Sequence, residues 1–196
     1  YVLDLDTRTV RQITNDRYAD LQPAWSPDGS TLAFTTDRGP DGTNFQTLEF
    51  GEYRIGTVNV ETREIETIRP FPSGMHHNPQ YSPDGRSIYF ISDHDGFKDI
   101  YRYALAEESV FRVTALQTGA SGITALSPAM SVASQSGRMM FSIYANNGYS
   151  IVSLESDETE GIPMTGTDTS QTVAASGARL LPPSQSADEG LVGSYL

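Results

Sequence analysis

The residues able to do chemistry are few, and they cluster. There are three histidines, His76, His77 and His94. His76-His77-Asn78 stands directly before a Pro-Gln-Tyr-Ser-Pro-Asp-Gly run. Neutral imidazole ligates zinc and similar ions, and a loop can aim two neighbouring rings at one ion where a strand cannot. The plainer reading is two loop histidines satisfied by backbone and water. The matching positions upstream hold Asp20 and Gln22. Together these give one candidate binding set: His76, His77, Asn78, Asp20 and Gln22. A second set is Asp93, Asp95 and Asp99, around Asp93-His94-Asp95-Gly96. Alternate carboxylates with a glycine at the sharp turn resemble part of a calcium loop. The terminal glutamate of the twelve-residue calcium pattern is absent, and a tight turn between strands accounts for the same residues. Calcium or another divalent ion is the one cofactor this arrangement suggests.

Catalytic groups are not apparent. No Gly-x-Ser-x-Gly elbow, phosphate loop or dinucleotide fingerprint is present. There is no cysteine, which excludes disulfides, thiolate chemistry and Cys-ligated zinc. The carboxylate pairs Glu107-Glu108 and Asp157-Glu158 fall in expected hairpin loops and read as solvated surface. The 25 acidic against 13 basic residues leave a formal charge of −12. A phosphate backbone wants a Lys/Arg stripe, so nucleic acid is excluded as a partner. No run of about 18 apolar residues exists to cross a membrane as a helix.

The elements that must position these groups repeat. Pro23-Ala24-Trp25-Ser26-Pro27-Asp28-Gly29 and Pro79-Gln80-Tyr81-Ser82-Pro83-Asp84-Gly85 are each followed by a return strand. Asp bonds the backbone two residues on, and Gly accepts the positive φ of the turn. A third copy, Pro128-Ala129-Met130-Ser131, has a longer turn ending at Gly137. A second hairpin also recurs, with Leu5, Val60 and Leu105 matching one another, as do Val10, Ile65 and Val110. The unit is four antiparallel strands in roughly 50 residues, the period of a β-propeller blade. Expected are an outer hairpin at 1–14, blades at 20–69, 76–115 and 124–166, and a Pro/Ser/Gly-rich linker at 173–196. The fourth strand of the last blade is placed near Gly161 to Thr165. Trp25, Phe34, Tyr81, Phe90 and Phe141 recur at matched positions, as packing between blades requires. About three and a half blades cannot close a ring, which needs at least about four. The chain begins within a strand, so it reads as a fragment whose other blades lie in the same longer protein. An insertion at Arg38 to Glu52 extends one loop on the expected binding face.

The Trp-Ser-Pro-Asp-Gly and Tyr-Ser-Pro-Asp-Gly stretches, with Ser92-Asp93 leading through Gly96 into Asp99-Ile100-Tyr101, resemble the repeats of TolB-like β-propellers. The likeness covers residues 1–115 well and 124–166 loosely. It implies a non-enzymatic scaffold of the bacterial envelope, periplasmic or associated with the outer membrane, with other envelope proteins as partners. The same repeats also occur in propellers attached to serine peptidases, where they gate substrate access. A downstream Gly-x-Ser-x-Gly distinguishes the two.

Overall fold

The computed structural model describes residues 1–145 and 147–164. The linker expected at 173–196 lies outside these residues. The described chain is strands, turns and one 3₁₀ turn at Ser156–Thr159.

A short hairpin comes first, β1 (Val2–Leu3) with β2 (Val10–Arg11). The first sheet runs β3 (Asp20–Trp25), β4 (Thr31–Thr36), β5 (Arg54–Asn59) and β6 (Ile65–Ile68), each beside its predecessor. The second repeats this order with β7 (His76–Tyr81), β8 (Ser87–Ser92), β9 (Asp99–Ala104) and β10 (Ser109–Arg112). The third holds β11 (Met130–Val132), β12 (Met139–Ala145) and β13 (Gly148–Leu154).

One placement differs from the sequence reading. The strand near Gly161, β14 (Ile162–Pro163), does not complete the third sheet. It pairs with Phe111 and Arg112 of β10 and becomes a fifth strand on the second sheet. Gly161 explains how the chain gets there. Its φ is +75°, and a Cβ would lie 2.8 Å from the Arg112 carbonyl oxygen. Only glycine passes that close without displacing the strand.

The Ser-Pro-Asp-Gly turns behave as their residues dictate. Ser26 Oγ donates to Asp28 Oδ1 (2.6 Å) and accepts the Thr31 N–H (2.9 Å), while Gly29 takes φ +71°. Ser82, Asp84, Ser87 and Gly85 repeat these contacts at 2.6 Å, 2.9 Å and φ +71°. These turns also touch across sheets. Pro27 sits 3.5 Å from the Cβ position of Gly85, and Pro83 sits 3.4 Å from that of Gly137.

The core lies between sheets. Alternation along β8 sends Ile88 and Phe90 toward Ala33 and Ile55 of the first sheet, and Tyr89 and Ile91 toward Met130, Met139 and Phe141 of the third. Phe34 and Val58 pack in turn against Ile13, with Val2 of the first hairpin beside them. A strand buried on both faces is what a middle blade requires, and all six residues of β8 are buried. Trp25 departs from the expected core role. It is 49% exposed and lines, with Tyr81 and Val132, an open cleft of about 330 Å³ between the inner strands.

Because the strands alternate in direction, the connections fall at two ends. The turns at 26–30, 60–64, 82–86 and 105–108 share one end. The loops at 37–53, 69–75 and 93–98 share the other, where β3 and β7 begin.

Candidate functional site

The long-loop end gathers the candidate binding residues, and the inner strands position them. His76 and His77 are not loop residues: they open β7 and are 1% and 2% exposed. The sequence offered no direct sign of this, because the proline that breaks the pairing comes three residues later. His76 is held from both sides. Its Nε2 accepts the Phe71 N–H (3.4 Å), and its Nδ1 lies 3.1 Å from Ser92 Oγ. An accepting Nε2 leaves the proton on Nδ1, donated to the serine. His77 points elsewhere, as alternation on a strand demands, and its buried Nδ1 has no partner among the described residues. Burial pushes the His77 imidazole down to about 4, with Lys98 adding to the effect. Burial lowers His76 and His94 as well. The His94 ring stacks on Phe71 at 3.6 Å. The three imidazoles therefore stay neutral, packed side chains near pH 7.

Gln22 and Asn78 occupy equivalent places. Each precedes a proline, each has φ +54°, and each sits where the inner strand slips register against its neighbour. The left-handed backbone costs a non-glycine residue about 1–3 kcal/mol, so the surroundings must over-determine it. They do. Gln22 Oε1 accepts the Asn78 backbone N–H (2.7 Å) and Thr35 Oγ1 (2.8 Å). Gln22 Nε2 donates to the Leu126 carbonyl (2.5 Å). Asn78 Oδ1 then accepts the N–H groups of Ala129 (2.8 Å) and Met130 (2.9 Å) at the third inner strand. The bulge turns each amide sideways, and each amide clasps the next sheet. In the third copy the residue before proline is Ser127, whose hydroxyl turns back to Thr124.

Two carboxylates of the proposed calcium set, Asp95 and Asp99, converge on Arg112, and the third turns away. Asp93 Oδ1 accepts the Met75 N–H (2.7 Å). Asp95 pairs with Arg112 (3.1 Å). Asp99, whose side chain is fully buried, pairs with Arg112 through one oxygen. Its other oxygen accepts Thr114 Oγ1 and the Leu116 N–H, both at 2.8 Å. A divalent ion would have to displace a guanidinium already in place, so these residues do not fit calcium. Among the described residues no three His, Asp or Glu side chains are arranged to hold a metal. Asp20 has a parallel role in the first sheet. It and Asp16 flank the buried Arg38, which also lies 5.4 Å from the ring centroids of Tyr18 and Phe34.

The sequence reading missed the arginines at the centre of these clusters. Arg38 and Arg112 had a signal, a pair of Asp four residues apart upstream of each (Asp16 and Asp20, Asp95 and Asp99), but no repeat partner of the same type. Arg54 gave none. It faces Thr36 on β4, where Asp99 faces Ser92 on β8, so it stands where the second sheet has its buried aspartate. Arg54 is 3% exposed, and its Nε and Nη2 have no acceptor among the described residues.

The loop at 37–53 is built from within. Thr43 Oγ1 bonds Asp37 and accepts the Gly51 N–H (3.1 Å). Asn44 pairs with Glu49, and its Oδ1 accepts the Gln46 and Thr47 N–H groups at 2.9 and 3.2 Å. Arg69 ties the base through Asp41 and Glu52.

Side-by-side sheets with inner strands clasped to one another make this a β-propeller architecture. Its repeats are TolB-like. No family model matches the chain. It is 26% identical over 113 residues, 58% of its length, to the Tol-Pal system protein TolB of Ruthia magnifica subsp. Calyptogena magnifica, and covers 24% of that protein. It is 37% identical over 75 residues, 38% of its length, to the uncharacterized peptidase YuxL of Bacillus subtilis, and covers 10% of it. The crystal structure of TolB from Acinetobacter baumannii superposes with a TM-score of 0.61 at 23% identity, over 82% of this chain and 35% of that one. The chain thus spans a quarter or less of the length of these two curated relatives.

Proposed function

We propose that this chain is part of a non-enzymatic β-propeller scaffold that binds other proteins in the bacterial envelope, with its binding surface at the long-loop end. One observation carries the reading. The polar side chains on the inner strands (Gln22, His76, Asn78), and Asp99 at the start of β9, are committed to holding the sheets, which leaves the loops as the surface open to a partner. A periplasmic location rests on the resemblance to TolB. The second reading is a non-catalytic propeller of a larger serine peptidase, gating access to its active site, and the 37% identity to YuxL favours it. Labelling the full-length protein with a fluorophosphonate probe separates the two. No labelling, together with a stable complex with an envelope protein, supports the scaffold. A labelled serine in a downstream Gly-x-Ser-x-Gly overturns it.

A further inference from the structure

The loop between β4 and β5 ends in two large apolar side chains that nothing in the described chain covers. Leu48 is 72% exposed and Phe50 is 87% exposed. Their display is set by the loop's own bonds. Leu48 holds φ +58°, a conformation that a branched residue adopts only when its neighbours enforce it. The Asn44–Glu49 bridge and the Asn44 side-chain bonds close the tip beneath it. Phe45, by contrast, turns inward and meets the Tyr18 ring edge-on at 5.3 Å, so the loop separates one anchored aromatic from two presented apolar groups. Such a tip loses little freedom on binding, and that loss is what weakens most loop contacts. Exposed apolar clusters on soluble surfaces mark interaction sites. The equivalent loop of the second sheet adds Phe97, 55% exposed, at the same end. The turns at the opposite end of these two sheets carry Asp28, Glu61, Arg63, Glu64, Asp84, Arg86, Glu107 and Glu108 instead.

The charge displayed at the tip is negative. Of the four carboxylates in residues 37–53, Asp37 is buried and Asp41 and Glu52 share Arg69, while Glu49 stands exposed between Leu48 and Phe50 with no ion pair among the described residues. The whole chain carries −12.

We infer that the 43–51 loop is a docking knob that inserts Leu48 and Phe50 into an apolar pocket of a protein partner whose rim is lysine- and arginine-rich. The inference rests on the scaffold reading and names the contact through which it works. Buried aromatic anchors dominate such interfaces, while rim charges set the association rate and its salt dependence.

The test uses the full-length protein in cells, with the photo-crosslinking residue p-benzoylphenylalanine at position 48, at position 50 and, as a control on the opposite end, at Thr62. Expected is one adduct at 48 and 50, absent at 62, mapping by mass spectrometry to an apolar pocket flanked by Lys or Arg. With that partner purified, Phe50→Ala weakens binding about tenfold or more, and association slows as salt rises. The melting temperature of Phe50→Ala stays at the wild-type value, because the ring is 87% exposed among the described residues. No adduct above the Thr62 control overturns the proposal. So does an adduct to lipid, to a second copy or to an acidic surface. A partner that binds the full-length protein with affinity unchanged by Phe50→Ala and Leu48→Ala retires the knob while leaving the scaffold intact.

Discussion

Replacing His77 should flatten the response of stability to acid. The imidazole titrates near 6.5 when unfolded and at about 4 when buried at the start of β7. A depressed histidine pKa means that the unfolded chain takes up the proton first. The contribution is therefore intact above pH 6.5 and is lost as pH falls from there toward 4. Between pH 7.5 and pH 5 the unfolded imidazole becomes almost fully charged while the folded one stays almost neutral, a loss of about 2 kcal/mol. For a chain of this size that corresponds to a fall in melting temperature of about 4–8 °C. His76 and His94 are lowered in the same direction and steepen the slope. Thermal melts at pH 7.5, 6.5, 5.5 and 5.0, followed by circular dichroism, compare wild type with His77→Gln. The variant starts lower, since it disturbs a packed site, but loses about 2 kcal/mol less across the range. Carboxylate titration is common to both and cancels. If His77→Gln falls in parallel with wild type over the whole range, His77 is not buried as a neutral group and the argument fails.

Other residues give sharper stability tests. Gln22→Ala and Asn78→Ala each strand buried N–H groups, at a cost of about 1–3 kcal/mol per group. In the double variant the two effects are less than additive in urea melts, because Gln22→Ala already releases the Asn78 backbone that aims its side chain at Ala129 and Met130; strict additivity would deny the coupling. Asp99→Ala strands the Thr114 hydroxyl and the Leu116 N–H while Arg112 keeps Asp95, and destabilises by about 1–3 kcal/mol per stranded group; a loss under about 1 kcal/mol would show the cluster to be solvated. Arg54→Met removes a buried guanidinium whose Nε and Nη2 have no acceptor among the described residues and raises stability in the same assay, whereas a fall would reveal a counter-ion. Millimolar calcium leaves the wild-type melting temperature unchanged, and a rise of several degrees would contradict the assignment of Asp93, Asp95 and Asp99 to protein contacts.

The blade pattern was legible because its signals are local. Asp28-Gly29 and Asp84-Gly85 declare their turns in four residues, and the unbroken apolar run Ile88, Tyr89, Phe90 and Ile91 suits a strand buried on both faces. The site was less legible because its chemistry is not local. Gln22 meets a carbonyl 104 residues away, and Asn78 meets amides 51 and 52 residues away. Spacing within Asp93 to Asp99 resembled an ion loop only because a single stretch cannot reveal that Arg112 and Thr114 already occupy the carboxylates. Trp25 misled for a related reason: matching a repeat position fixes the strand a residue sits in, not the neighbour that covers it. β14 is the clearest limit, since two residues pairing with β10 leave no pattern to read.

The amide relay from Gln22 through Asn78 to Ala129 runs one way along the chain: every donor or acceptor side chain belongs to the earlier sheet, and every main-chain target belongs to the later one. During synthesis, then, a sheet that has left the ribosome already holds out the group that will capture the next, so assembly has a ratchet-like order from the N-terminus. Severing one link should delay every sheet downstream of it and none upstream. In pulse proteolysis of stalled nascent chains, Asn78→Ala would slow protection of residues 129–154 while leaving protection of 20–68 on schedule. Equal delay on both sides would mean that the relay fastens the finished sheets without directing how they are built.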